Sequence, residues 1–308
     1  MKYCLVIFLF ISIRLYGQDS NYIARSIQLD EVVINAVKGG FDINSFIKRV
    51  EDDTTFYKAF KTLRIIGYTA SNDIKIFDKK GNTEASLKSI TRQIRKNGCR
   101  SMEVLKENTT GNFYTKKKRY NYYTAELYAH LFFSDGVVCG EDNIVNGGKA
   151  DTPDNNSTIE KHKEQLKKLI FNPGQPISGV PVVGKKVAIF DNEIAPLYNF
   201  SITSADYAGV PCYVFSAKAK PDHKKDVVID SLVTYFSKSN FEIVERSYAL
   251  SYKTWVFDFD VQMDVQMTKF NNQLIPSLIT YHGVWNIPFH KRERADFTAS
   301  FYDFTQDE

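Results

Sequence analysis

Three aspartates, Asp258, Asp260 and Asp264, alternate with apolar residues in the stretch WVFDFDVQMDVQMTKF at positions 255–270. Grouped carboxylates can hold a hard cation, since calcium takes several of them as oxygen ligands. The spacing D-x-D-x-x-x-D, however, has neither the glycine nor the closing glutamate of a calcium loop. On a strand, carboxylates two residues apart stand about 6.6 Å from each other and splay. The expectation is a solvated face and no metal. The five histidines, His130, His162, His223, His282 and His290, are scattered, and none lies four residues from another, so zinc has no local ligand pair. No G-x-S-x-G elbow, phosphate-binding glycine loop or H-E-x-x-H is present. Cys212, between Pro211 and Tyr213, reads as a small core residue; a cysteine–histidine nucleophile is the alternative, though nothing local recommends it. The expected set of catalytic residues and cofactors is therefore empty, and the protein is read as non-enzymatic.

The other half of the same stretch is the candidate site. Trp255, Phe257, Phe259, Val261, Met263, Val265 and Met267 occupy every second position, so one strand carries them all on one face. Two readings are open. The face is a dry core under helices, or it is a partly open hollow in which methionines adapt to an acyl chain or lipidated peptide. Thirteen alternating residues rise about 43 Å at about 3.3 Å each. A strand so long suits a strongly twisted, curled sheet or a barrel better than a compact sandwich.

The remaining elements must position that strand. Ser26 to Ala36 (SIQLDEVVINA) reads as a strand ended by Gly39-Gly40. Asp42 to Leu63 has apolar residues at helical spacing, with a start signal at Asp42 and a second at Asp53-Thr54, which predicts two helices or one broken helix. Hairpins are expected over 65–77 with 83–96, and over 100–106 with 113–123. A helix should run from Thr124 to about Phe133, a polar glycine-rich loop over 140–156, and a helix from Ser157 to Ile170. Strands should follow at 186–190, 197–204, 211–217, 227–236, 241–251, 254–269, 274–284 and 293–304. The fold class is thus α+β: a large curled antiparallel sheet, a half-barrel, with a few helices covering its concave face.

The chain opens MKYCLVIFLFISIRLYGQDS, a secretory signal pattern cut after Gly17. Residues 1–17 are the signal peptide, 18–40 an N-terminal strand segment and 41–308 a single half-barrel domain. Export to the periplasm or outer membrane of a two-membrane bacterium is the expected location. Of the formal charge of +4, Lys2 and Arg14 of the signal contribute two. So small an excess argues against nucleic acid as a partner. The dense basic runs are Lys116-Lys117-Lys118-Arg119 and His290-Lys291-Arg292-Glu293-Arg294. They read as solvated strand ends, with weak contact to an anionic membrane surface as the sharper alternative. Cys99, Cys139 and Cys212 remain after cleavage, allowing one disulfide within the chain and one leftover thiol.

In element order and alternation, Asp42 to Phe304 resembles the periplasmic lipoprotein-carrier (Lol-type) family. That resemblance implies a curled half-barrel, covered by helices, that holds acyl chains in its concavity; it carries over no individual residue. Leu29 to Ala36 is similar to the segment opening plug domains of TonB-dependent transporters and related envelope proteins of Bacteroidota, and Tyr248 to Phe304 looks like secreted Bacteroidota proteins of unknown function. The expected function is an exported envelope protein binding a lipid or lipidated, hydrophobic partner on the apolar face. The alternatives are a structural or interaction protein with a filled core, and a small outer-membrane barrel with its apolar residues facing lipid.

Overall fold

A computed structural model describes residues 21–145, 168–176, 183–253, 258–286 and 291–307. The signal peptide, the greater part of the 140–156 loop and most of the 157–170 helix lie outside the described residues, as do Trp255 and Phe257. No described helix is long and apolar enough to cross a membrane.

Short helices lead into the sheet: α1 Asn21–Ser26, α2 Glu31–Lys38, α3 Ile43–Glu51 and α4 Thr55–Leu63, with α5 Tyr123–Phe132 later in the chain. The strand expected over 26–36 is a correction. Only Gln28–Leu29 (β1) is extended, and α2 begins at once. Asp30 decides it: its Oδ1 accepts from the Val33 amide at 2.8 Å as an N-cap, and Oδ2 accepts from the Ser204 amide. That local bonding outweighs the strand preference of Val32-Val33-Ile34. Asp42 caps α3 through the amides of Asn44 and Ser45. The helix breaks before α4, where Asp53 Oδ1 accepts from both the amide and the hydroxyl of Thr55, as the doubled start signal implies.

The other strands are β2 Gly67–Phe77, β3 Thr83–Lys96, β4 Cys99–Thr110, β5 Val138–Cys139, β6 Tyr198–Tyr207, β7 Val210–Ala219, β8 Ile229–Ser237, β9 Ile243–Lys253, β10 Asp258–Phe270, β11 Gln273–Asn286 and β12 Glu293–Thr305. They form one curled sheet in the order β1-β6-β7-β8-β9-β10-β11-β12-β2-β3-β4-β5. Every pairing is antiparallel except β1 with β6. The sheet does not close, since β1 and β5 are its edges. Two further strand expectations fail. Residues 113–123 make only the single bridge Tyr114–Tyr120, around which four aromatic rings pack. Residues 186–190 follow the helical turn Val183–Lys186 instead of extending.

The core lies between one sheet face and the helices. Phe46 of α3 meets Phe236 edge-on with ring centroids 5.5 Å apart. Phe56 of α4 meets Tyr248 at 6.4 Å, and Phe60 stacks on Phe171 at 4.1 Å. A Cys99–Cys139 disulfide fastens β5 to β4. The following residues are strapped to α4: Glu141 bonds Arg100 and Arg64, Asp142 bonds Lys61, and the Asn143 amide donates to Thr62 Oγ1 at 3.2 Å. Burial opposes the Glu141 charge, but the Arg100 and Arg64 guanidiniums outweigh it and hold the carboxyl below the usual glutamate range.

Candidate functional site: the apolar face of the long strand

Strand β10 supplies the stripe. Its burial alternates as the residue pattern requires: Phe259, Val261, Met263 and Val265 are buried, while Asp260 and Gln262 are exposed and Asp258 and Asp264 half-buried on the other face. Neighbouring strands set the surroundings. Val261 lies between Leu250 and Gly283, Met263 between Tyr248 and Tyr281, and Val265 between Arg246 and Ile279. The Tyr248 hydroxyl donates to the Ile170 carbonyl at 2.5 Å, with Met263 Sδ 3.0 Å away. Phe259 faces Trp285 with centroids 5.2 Å apart.

Gly283 has a packing reason. The Tyr281 ring stacks on Phe297 at 4.4 Å and lies back over residue 283, where a Cβ would stand 2.0 Å from its hydroxyl. The same hydroxyl accepts from Trp285 Nε1. Only glycine lets the ring take this place.

Met267 departs from the pattern and is only half-buried. The β10–β11 register shifts between Gln266 and Met267, so that Met267 pairs with Pro276. Proline has no N–H to give the ladder, and the resulting bulge turns Met267 to the margin of the core.

The stripe is therefore covered. Val261 and Met263 are 1% and 0% exposed, and helix α4 lies across the adjoining β11. Beside this core is a void of about 10 Å³ against Phe60, Leu63, Tyr68, Gln93, Phe132 and Phe171. A cleft of about 380 Å³ lies off the stripe, between Ile23 and Ile47 on one side and Gln175, Phe190 and Ala195 on the other, with Lys48 at its rim.

Polar groups that pattern reading passed over flank the stripe. On the inner face Arg246, 4% exposed, donates to Thr234 Oγ1 at 2.9 Å, reaches Asp53 Oδ2 at 3.4 Å and lies 4.3 Å over the Phe56 ring. The signal was present, since Arg246 shares its register with Tyr248 and Leu250. On the outer face Glu245 is also buried: Oε1 accepts from the Ser247 hydroxyl at 2.5 Å, and Oε2 has no hydrogen-bond partner among the described residues. Burial pushes its carboxyl from an ordinary 4.5 up to about 7, the Asp264 charge adding to the shift against the Ser247 hydrogen bond.

A raised carboxyl makes the fold prefer the protonated form. Stability should fall as pH rises from about 4.5 to about 7 and level off above. Glu245→Gln, which removes the titration, should raise stability at pH 8 by about 2 kcal/mol and leave it nearly unchanged at pH 4. Urea unfolding at the two pH values checks this; an equal effect at both would refute it.

No group of three or more metal-ligating side chains occurs among the described residues. Asp264 accepts from Thr280 Oγ1 at 3.3 Å, and His223 and His282 pair with Asp226 and Asp296. Cys212 is buried and its thiol sits against the Val210 carbonyl at 3.2 Å; burial pushes that thiol up, away from nucleophilic chemistry.

No family model matches the chain, and no curated protein matches it. Among solved structures it is similar to a DUF1329 family protein from Desulfovibrio piger, at 10% identity over 82% of this chain and 94% of that one, with a TM-score of 0.25. It is also similar to a candidate outer membrane lipoprotein-sorting protein domain from Vibrio parahaemolyticus, at 8% identity over 79% of this chain and 88% of that one, with a TM-score of 0.27. At such identities and scores the likenesses assign neither a family nor an activity.

Proposed function

We propose that the protein is a non-enzymatic binding module of the cell envelope, holding a lipid or other hydrophobic partner between the curled sheet and its helical cover. The observation that carries this reading is the construction of the cover. Helices α3 and α4 are nine residues each, and among the described residues no backbone–backbone hydrogen bond joins them to the sheet; the Leu63 carbonyl accepts from the Gln93 side chain, but the helices can shift without breaking a β-ladder. The 380 Å³ cleft opens beside them onto Ile23 and Ile47 of the same core, within the usual size range of ligand sites. With the helices moved aside, the bound partner would lie along Phe259, Val261, Met263, Val265 and Met267. The Cys99–Cys139 disulfide supports export, because such bonds persist outside the reducing cytoplasm. Native mass spectrometry of protein gently purified from the envelope should show bound lipid, and the apoprotein should take up a fluorescent fatty acid. Apoprotein alone, with no uptake, would count decisively against the reading.

A second reading, a structural or interaction protein with a filled core, is favoured by the near-complete burial of Val261, Met263 and Val265. The outer-membrane barrel does not stand, because the sheet is open and the apolar residues of β10 face inward.

A further inference from the structure

We infer that one rim of the sheet, formed by the β2–β3 turn, the β4–α5 connection and the described residues that lead into β12, is a docking surface for an anionic phospholipid bilayer. The two basic runs are about 170 residues apart in sequence, yet the antiparallel order brings both to the same end of the strands. Three contacts fix this. Arg294 lies over the Phe77 ring at 5.3 Å and its guanidinium reaches Gly81 of the β2–β3 turn. Gly111, just after β4, lies against the Glu84 carbonyl at the start of β3. Glu293 accepts from the amides of Tyr123 and Thr124 at 2.7 and 3.0 Å, tying the end of the β4–α5 connection to the start of β12.

The rim so assembled exposes Lys79, Lys80, Lys116, Lys117, Lys118, Arg119, Lys291 and Arg292. Its acids are fewer and partly spent. Asp78 is engaged by the amides of Lys80 and Asn82, Glu107 accepts from the Tyr114 hydroxyl at 3.0 Å, Glu293 is buried under α5, and Glu84 and Glu126 are exposed. The opposite end of the strands has no such excess: Lys96, Lys238 and Lys269 stand there against Asp206, Glu242, Asp303 and Asp307, and Lys269 pairs with Glu242 at 2.7 Å. A chain of nearly balanced charge is thus polarised along its strands, which favours one orientation at a negatively charged plane.

The basic loop is also held in shape. The Thr115 amide donates to the Arg119 carbonyl at 2.8 Å and the Lys118 amide to the Thr115 carbonyl at 3.0 Å. Lys118 takes the left-handed conformation, φ 58°, with its ammonium 5.8 Å from the Tyr114 ring centroid. Tyr114, Tyr120 and Tyr122 are half-buried just behind the cations. Amphipathic rings backing a row of lysines on separate turn tips suit a headgroup layer, where tyrosine also concentrates. This surface is independent of whatever the concave face binds.

Sedimentation with vesicles of phosphatidylglycerol and phosphatidylcholine tests it. The protein should bind these and not vesicles of phosphatidylcholine alone. Binding should vanish between about 0.05 and about 0.5 M salt, as screening shortens to a few ångströms. The double variant Lys116→Ala, Lys117→Ala should partition roughly twenty-five-fold less, at about fivefold per lysine. Lys269→Ala at the opposite end should partition as the parent does. Equal binding to both vesicle types would overturn the proposal, as would equal losses in the two variants. So would retention on heparin without vesicle binding, which would point to a soluble polyanion.

Discussion

Val261→Asp is expected to abolish cooperative folding. Val261 sits mid-strand on the inner face, 1% exposed, between Leu250 on β9 and Gly283 on β11. Neither neighbour offers a hydrogen bond from its side chain. The substitution loses the apolar burial of valine, about 1.5 kcal/mol or more, and places a carboxylate where it must be desolvated or protonated at a cost of several kcal/mol. Together these approach the roughly 5–15 kcal/mol that holds a whole domain together. Circular dichroism of soluble protein, if any is recovered, should show no sharp thermal transition. Gln262→Asp, one residue along on the wet face, should change stability by no more than about 0.5 kcal/mol. Should Val261→Asp fold and melt within a few degrees of the parent, the face is a hydrated hollow and the filled-core description fails. A partial loss restored by added lipid would instead favour the binding reading.

What the residues disclose in advance follows from how local the cause is. The β10 stripe is written in a period of two that only one face can satisfy, so Phe259 to Val265 are readable without a structure. The β2–β3 hairpin is similarly plain from Asp78-Lys79-Lys80-Gly81-Asn82 between alternating runs. The segment at 26–36 is not, because Val32, Val33 and Ile34 favour a strand while one cap, Asp30, favours a helix. Of the three only Val33 is buried in that helix; Val32 and Ile34 are 52% and 41% exposed. Met267 strays for a reason on another strand, the slip opposite Pro276. The basic rim is the same kind of case: each run reads as an ordinary turn alone, and only the strand order makes them one surface. The state of the apolar face was the least legible, since alternation tells which side is dry and not what covers it.

That covering depends on a charge buried under it. Arg246→Ala is expected to destabilise the protein by about 3–5 kcal/mol, the range for removing one member of a buried ion pair. Arg246 projects inward from β9 among Tyr248 and Leu250, beneath the junction of α3 and α4, where Asp53 turns the chain between the helices. Its guanidinium joins three groups from two layers: Thr234 of β8, Asp53 of the junction and the face of Phe56 in α4. Asp53 in turn binds the amide and hydroxyl of Thr55 that start α4. Truncation would leave the Asp53 carboxylate buried without its cation and remove the cation–π contact, worth about 1–2 kcal/mol when desolvated. The paired variant Arg246→Met, Asp53→Asn should recover much of the loss, because no uncompensated charge then remains in the core. Urea unfolding of the two single variants and the double gives the coupling directly. Additive losses would mean that the pair does not anchor the cover. If it does, the single variant should also loosen α4 over the stripe, seen as faster hydrogen exchange at residues 55–63 than in the sheet.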